Sequence, residues 1–144
     1  MASDPFGLER FVAAQDQGGT YERALSELRA GAKRGHWMWL VFPQIVGLGR
    51  SSTAQHFAIT GLEEARAYLE HPVLGPRLRE CAEALTRLAG RGAVDVFGPI
   101  DAMKLRSSMT LFALADPDER VFQRVLDQYF DGQSDPATER LLAG

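Results

Sequence analysis

The sequence predicts an all-α protein, a compact multihelical single domain over residues 1–144 with at most one or two very short strands. Apolar residues recur at helical spacing in several segments, as in Tyr21, Ala24, Leu25 and Leu28, or Val121, Phe122, Val125, Leu126 and Tyr129. Helix-start grammar repeats too: Asp-Pro stands at Asp4-Pro5, Asp116-Pro117 and Asp135-Pro136. The connections between periodic segments are short, which leaves no room for the crossovers of a parallel nucleotide-binding sheet.

The first helix is expected from Pro5 to about Gln15, with Phe6, Leu8, Phe11 and Val12 on its apolar side. The aspartate before such a proline accepts hydrogen bonds from the free amides of the first turn. Proline fits there because its missing N–H had no partner to lose. After Gly18-Gly19, Thr20 is read as the cap of a second helix, which Gly31 ends. His36 to Phe42 shows no clean period and is expected to be extended or irregular, with a short helix as the alternative; Pro43 keeps Phe42 out of the helical region. Ser51 or Ser52 starts a helix to about Ile59. Thr60 and Glu63 then spell a capping box for a helix with Leu62, Ala65 and Leu69 inward, stopped at His71-Pro72.

A long helix follows through Gly75-Pro76, with Leu74, Leu78, Cys81, Leu85 and Leu88 on one face, and Gly90-Arg91-Gly92 stops it. Val94, Val96 and Phe97 are read as a short strand or a loop anchor, and Gly98-Pro99 launches a helix from Ile100 to about Leu114. Asp116-Pro117, with Glu119 closing a capping box, opens the next helix. Asp131-Gly132 breaks it, and Pro136 to Leu142 forms the last.

A chain of this length can bury a core without metal or disulfide staples. Cys81 has no second cysteine to pair with, and no Cys/His cluster has zinc-ligand spacing, so no metal or cofactor is expected and a reducing compartment, the cytoplasm, fits best. No basic run followed by an apolar stretch marks a secretory signal near the start, and no apolar run approaches the roughly 20 residues of a membrane span. The net charge of −3 makes nucleic acid an unlikely partner. That charge is unevenly spread: between Glu27 and Glu63 there is no acid, while Arg29, Lys33, Arg34 and Arg50 lie inside.

This positive island contains the densest motif, KRGHWMWLVFPQIVGLGRSST at 33–53, where aromatics and polar groups interleave as in a pocket wall. Gly47 and Gly49 permit close backbone approach, Arg50 offers a fork that matches phosphate or carboxylate, and Ser51 opens a helix whose free amides could hold an anion. The turn is neither a Walker loop nor a dinucleotide fingerprint, since no Gly-Lys-Ser/Thr and no βαβ unit accompany it. Trp37 and Trp39 offer flat faces for a base or sugar, although tryptophans commonly fill cores; in an extended segment one would face inward and the other a cleft. His36 could act as acid or base, donate a hydrogen bond or serve a structural role, and Gln44 is a two-way hydrogen-bonding head. A second block lies on the late helix. Asp101 and Lys104 share a face at i, i+3, either as a surface ion pair or as a working carboxylate and amine, and Ser108 extends the stripe.

HWMWLVFPQIVGLGRSS and GPIDAMKLRSSMTLF, with DPFGLERFVAAQ, EARAYLEHPVLGPRLREC and FQRVLDQYFDGQSDPATERLL, resemble a bacterial family, the domain of unknown function numbered 1810. The resemblance covers nearly the whole chain and implies a mainly helical fold without an established activity. Some members carry the label calpastatin, which implies a protease inhibitor; inhibitory segments of that kind are disordered, whereas this chain is patterned to fold. RFVAAQ and the late Lys-Leu also resemble helical proteins that cleave N-glycosidic bonds, which implies a hydrolase acting on ADP-ribose-type compounds.

The leading expectation is therefore a pocket for a small anionic, nucleotide-like or sugar-phosphate-like ligand. His36, Asp101 and Lys104 stand as candidate catalytic groups. Gln15, Lys33, Trp37, Gln44, Gly47, Gly49, Arg50, Ser51 and Ser108 are the candidate binding groups. The alternative is a protein-interaction module that docks through Trp37 and Trp39. An RNA binder is a third reading, disfavoured by the acidity and the absence of a known RNA-binding motif.

Overall fold

The computed structural model describes residues 4–143 as an all-helical arrangement. In chain order the helices are α1 (Glu9–Asp16), α2 (Thr20–Ala30), α3 (Met38–Val41), α4 (Ser52–His56), α5 (Leu62–Glu70), α6 (Leu74–Thr86), α7 (Ala93–Ala115), α8 (Val121–Phe130) and α9 (Pro136–Ala143). The β structure among the described residues is one isolated parallel bridge between Ile45 and Ile59, where Ile59 N–H donates to the Gln44 carbonyl and Val46 N–H to the Ile59 carbonyl, both at 2.8 Å. No described helix is long and apolar enough to cross a membrane.

Helix α7 packs against α3, α5, α8 and α9, and its apolar residues Leu105, Met109, Leu111 and Phe112 are fully buried. Aromatic rings link the layers. Phe57, Phe11, Tyr68, Phe112 and Phe122 follow one another with centroids 5.5, 5.2, 5.3 and 5.8 Å apart, each step within the range where tilted and edge-on rings attract. The cleanest periodic stripes, those of α2, α6 and α8, are the ones the sequence displays most openly, because a surface helix must turn one apolar side to the core.

The three Asp-Pro pairs diverge. Asp135 caps α9 as expected, accepting from Thr138 N–H at 3.2 Å. Asp4 caps at longer reach, accepting from Leu8 N–H at 2.7 Å and Glu9 N–H at 3.1 Å, so Pro5 opens a turn and α1 begins at Glu9, four residues later than predicted. Asp116 is the C-cap of α7, and α8 begins only at Val121; Glu119 donates its N–H to the Asp116 carbonyl at 3.1 Å in a turn and closes no capping box.

Other local expectations are also corrected. Thr20 lies inside a continuing helical turn, donating its hydroxyl to the Gln17 carbonyl at 2.8 Å instead of capping. Residues 38–41 take the alternative reading, a short helical turn and not an extended segment, closed by the Phe42 N–H to Met38 carbonyl bond of 2.9 Å. The capping carboxylate of α5 is Glu64, which accepts from the Thr60 N–H and hydroxyl, each at 2.9 Å; Glu63, one residue earlier, is exposed. Residues 93–97 are a helical turn and not a strand.

At Gly98 the backbone takes φ 79° and ψ 165°, a conformation essentially reserved for glycine, and Pro99 follows. The kink redirects the long limb of α7, which carries Asp101, Lys104 and Ser107.

Candidate functional site

The site begins with a loop that cannot hold itself. Residues 32–36 have no regular structure, and α2 supplies the brace: Glu27 Oε1 accepts from Arg34 N–H at 2.7 Å, Gly35 N–H at 2.9 Å and Trp37 Nε1–H at 2.9 Å. Burial alone would raise the Glu27 carboxyl. These three donors and the Lys33 charge outweigh it and hold the group below its ordinary value of 4.5. The folded carboxyl thus binds its proton less tightly than the unfolded one. Its stabilising contribution is complete above the unfolded value and is lost as pH falls through the lower folded value. Glu27→Gln should therefore show a smaller stability loss than the wild type between about pH 7 and about pH 3.5 in urea titrations. Equal losses would mean that the brace does not titrate.

Lys33 is the centre of this loop. Its N–H donates to the Val96 carbonyl at 2.8 Å; its side chain is only 7% exposed, and the ammonium sits 2.8 Å from Asp101 Oδ2, donates to the Gly35 carbonyl and lies 5.0 Å over the Trp37 ring. Asp101 Oδ1 is 3.5 Å from Lys104, whose ammonium lies 5.8 Å over the Trp39 ring and is 35% exposed. One carboxylate thus stands between two ammonium groups, and the tryptophan block and the late helix converge.

Beside this triad lies a cleft of about 280 Å³ with three walls. Gln44, Leu48 and Gly49 come from the segment after α3, Ile100, Met103, Lys104 and Ser107 from α7, and Asp135 and Ala137 from the start of α9. The bridge to Ile59 fixes the Gln44 backbone. Gly49 packs so closely on α4 that an added Cβ would fall 2.5 Å from Ala54 Cβ. Asp135 Oδ2 accepts from the Ser107 hydroxyl at 2.8 Å and the Thr138 hydroxyl at 2.6 Å. Burial works to raise this carboxyl, yet Thr138, Ser107 and the backbone amides of α9 bring it below the ordinary range. Ile100 and Met103 are 71% and 72% exposed, an apolar lip on the cleft.

Several sequence candidates stand apart from the cleft. Gln15, 1% exposed, is an internal cross-link: its amide donates to the Leu40 carbonyl at 2.8 Å and to the Tyr68 hydroxyl at 3.3 Å, and its oxygen accepts from Arg77 at 3.1 Å. Trp37 is 2% exposed, so its ring offers no face to a ligand; Trp39 is the half-buried member of the pair. The segment is a helical turn and not extended, and Trp39, though more exposed than Trp37, is not among the cleft-lining residues. His36 and Arg50 are exposed and Gly47 faces Leu141. Ser51 caps α4 with its own oxygen, accepting from Ala54 N–H at 3.0 Å, which takes up one of the first-turn amides that an anion would use. Ser108 is fully buried, and its hydroxyl finds no partner among the described residues; Ser107, one position earlier, is the serine that reaches the cleft. Among the described residues no group of three His, Cys, Asp or Glu side chains could hold a metal ion.

Ile100, Met103 and Asp135 line the cleft without any motif in the sequence marking them as site residues. Spacing alone places Ser107 and Ser108 equally well beside Lys104, and Asp135 reads simply as a helix cap.

Residues 5–142 match the profile of a family described as a protein of unknown function (DUF1810). The crystal structure of the conserved hypothetical protein Rv1873 from Mycobacterium tuberculosis is similar over 98% of this chain and 99% of that one, with 51% identity and a TM-score of 0.94. No curated protein matches the chain.

Proposed function

The chain belongs to the family of proteins of unknown function DUF1810, and on that footing we propose that its cleft binds a small anionic ligand of nucleotide-like or sugar-phosphate-like character. The observation that carries this reading is the shared carboxylate. Asp101 is held at 2.8 Å by Lys33, whose side chain is 7% exposed, so Lys104, at 3.5 Å and 35% exposed, keeps positive charge available at the cleft. Gln44 and Ser107 supply hydrogen-bonding heads for sugar or base, and Leu48, Ile100 and Met103 supply apolar surface. Ligand pockets combine these parts, an apolar lining with a few placed polar groups.

The size of the cleft, about 280 Å³, supports a compact ligand over a dinucleotide, since sites that enclose drug-sized molecules run to roughly 300–1,000 Å³. Binding without N-glycosidic hydrolysis is the better supported form of the proposal. The Asp101 carboxylate is already engaged by two ammonium groups, at 2.8 and 3.5 Å, and neither Asp101 nor His36 is among the cleft-lining residues. The alternative, docking of a protein through Trp37 and Trp39, has less support because Trp37 is buried and bonded to Glu27.

Thermal unfolding in the presence of ribose phosphates, sugar phosphates, nucleotides and ADP-ribose tests the reading. At least one compact anion should raise the melting temperature of the wild type, by the linkage that stabilises any ligand-bound native state, and Lys104→Ala should remove that increase without lowering the unliganded midpoint by more than a few degrees. No stabilisation by any of these compounds, or stabilisation that persists in Lys104→Ala, would sink it.

A further inference from the structure

We infer, resting on the binding reading above, that the cleft takes a compact anion that also carries an ammonium group, of the amino-sugar phosphate class, with Lys104 holding the anionic end and Asp135 the ammonium. The charged residues lining the cleft are these two, and their signs are opposite. Opposite charges in one small cleft would ordinarily pair. Here each is held by other partners: Lys104 stands 3.5 Å from Asp101 and over the Trp39 ring, while Asp135 Oδ2 accepts from the Ser107 hydroxyl at 2.8 Å and from the Thr138 hydroxyl and N–H at 2.6 and 3.2 Å. Among the described residues Asp135 takes part in no salt bridge.

A purely anionic ligand satisfies Lys104 and meets Asp135 as a like charge, whereas an ammonium at its other end turns that repulsion into a charge-assisted hydrogen bond. Capping α9 does not call for the charge. Asparagine or serine caps a helix start about as well as aspartate. The helix-end amides and the two hydroxyls nonetheless hold the Asp135 carboxyl below the ordinary range, so the charge is present at neutral pH. Arg106 gives its guanidinium to the Gln133 and Ser134 carbonyls at 3.1 and 2.6 Å and is not a lining residue. Ser107 completes the subsite. Its hydroxyl has one proton, and the Asp135 contact of 2.8 Å is shorter than the 3.1 Å to the Met103 carbonyl, so its lone pairs are left to accept from an ammonium. Ser107 follows Lys104 at i+3, about 5–6 Å away at Cβ, a gap that a compact ligand spans.

Glucosamine 6-phosphate and glucose 6-phosphate differ in one ring substituent, an amino group in place of a hydroxyl. Calorimetric titration of the full chain at about pH 6.5, below the ordinary range of an α-amino group, should show the wild type preferring the amino sugar by about fivefold. Asp135→Asn keeps the cap and removes the charge, so it should bring the two affinities to within about twofold, and Asp135→Ser, a second capping substitution, should do the same. Lys104→Ala should weaken both probes alike. The wild-type ratio decides even where a variant folds poorly. Equal or tighter binding of glucose 6-phosphate by the wild type, or an unchanged preference in Asp135→Asn, overturns the assignment of Asp135 and leaves the anion-binding reading intact. Binding of neither probe also overturns it, and the broader set of anions above then decides the binding reading on its own.

Discussion

Arg10→Met is expected to destabilise the protein by about 3–5 kcal/mol, a fall in melting temperature on the order of 10 °C, because it strands a buried charge. Glu64 is 1% exposed, and its one salt-bridge partner among the described residues is Arg10, whose Nη2 lies 3.0 Å from Glu64 Oε2. The same guanidinium donates to the carbonyls of Phe6 at 2.7 Å, Gly7 at 2.9 Å, His56 at 2.8 Å and Ala58 at 3.0 Å, tying the N-terminal turn to the segment after α4. Methionine retains apolar bulk and loses every one of these bonds. A pair of this kind does not need to stabilise the fold much as a pair; removing one member is what costs. Arg10→Met combined with Glu64→Gln should therefore recover a large part of the loss, since glutamine still accepts from Thr60 without carrying charge. Urea denaturation of the two single variants and the double variant measures the coupling directly. A cost below about 1 kcal/mol for Arg10→Met would show the pair to behave like a solvent-exposed one.

Phe112→Ala should cost a similar amount, about 3–5 kcal/mol, for a different reason. Its ring is fully buried between Tyr68 of α5 at 5.3 Å and Phe122 of α8 at 5.8 Å, so truncation opens a cavity where three helices meet. Neighbouring backbones belong to separate helices and cannot all collapse into the gap, which keeps the penalty at the upper end of the range. Phe112→Leu retains most of the volume and should cost only about 1–1.5 kcal/mol. Chemical denaturation at constant slope distinguishes the two variants from a change in the unfolded state. Equal, small losses would mean that the aromatic chain is not the structural spine described above. Ligand binding in Phe112→Leu should survive, because Phe112 is not a lining residue of the cleft.

Much of the helical order was legible because the signals that write it are local. Gly31 ends α2 by sending its N–H to the Leu28 carbonyl at 3.0 Å, and Asp135 caps α9 through a residue three positions on. Where local signals were ambiguous, neighbouring structure chose between them. Asp116-Pro117 is a valid helix opening in isolation, yet α7 runs up to Ala115 and takes Asp116 as its end. Spacing pointed to Glu63 as the capping carboxylate of α5, but Glu64, paired with Arg10, is the one that accepts from Thr60.

The candidate site was legible in outline and not in detail. Interleaved aromatic and basic residues marked the segment that meets α7, and the shared helical face of Asp101 and Lys104 marked its counterpart. Spacing could not tell Ser107 from Ser108, since i+3 and i+4 neighbours both lie beside Lys104 on a helix. Nor could it assign Gln15, whose three partners come from α3, α5 and α6.

By itself the sequence determined the all-helical class, the principal apolar faces and the region of basic and aromatic residues, because helix periodicity, capping and charge distribution are properties of neighbours along the chain. Only the tertiary structure decided that Lys33 is paired with Asp101, that Trp37 is buried while Trp39 borders Lys104, and that Arg10 holds a carboxylate 54 residues away. Those outcomes depend on how helices are placed against one another. A buried charge takes whichever partner the packing brings within about 4 Å, and no local pattern encodes that distance.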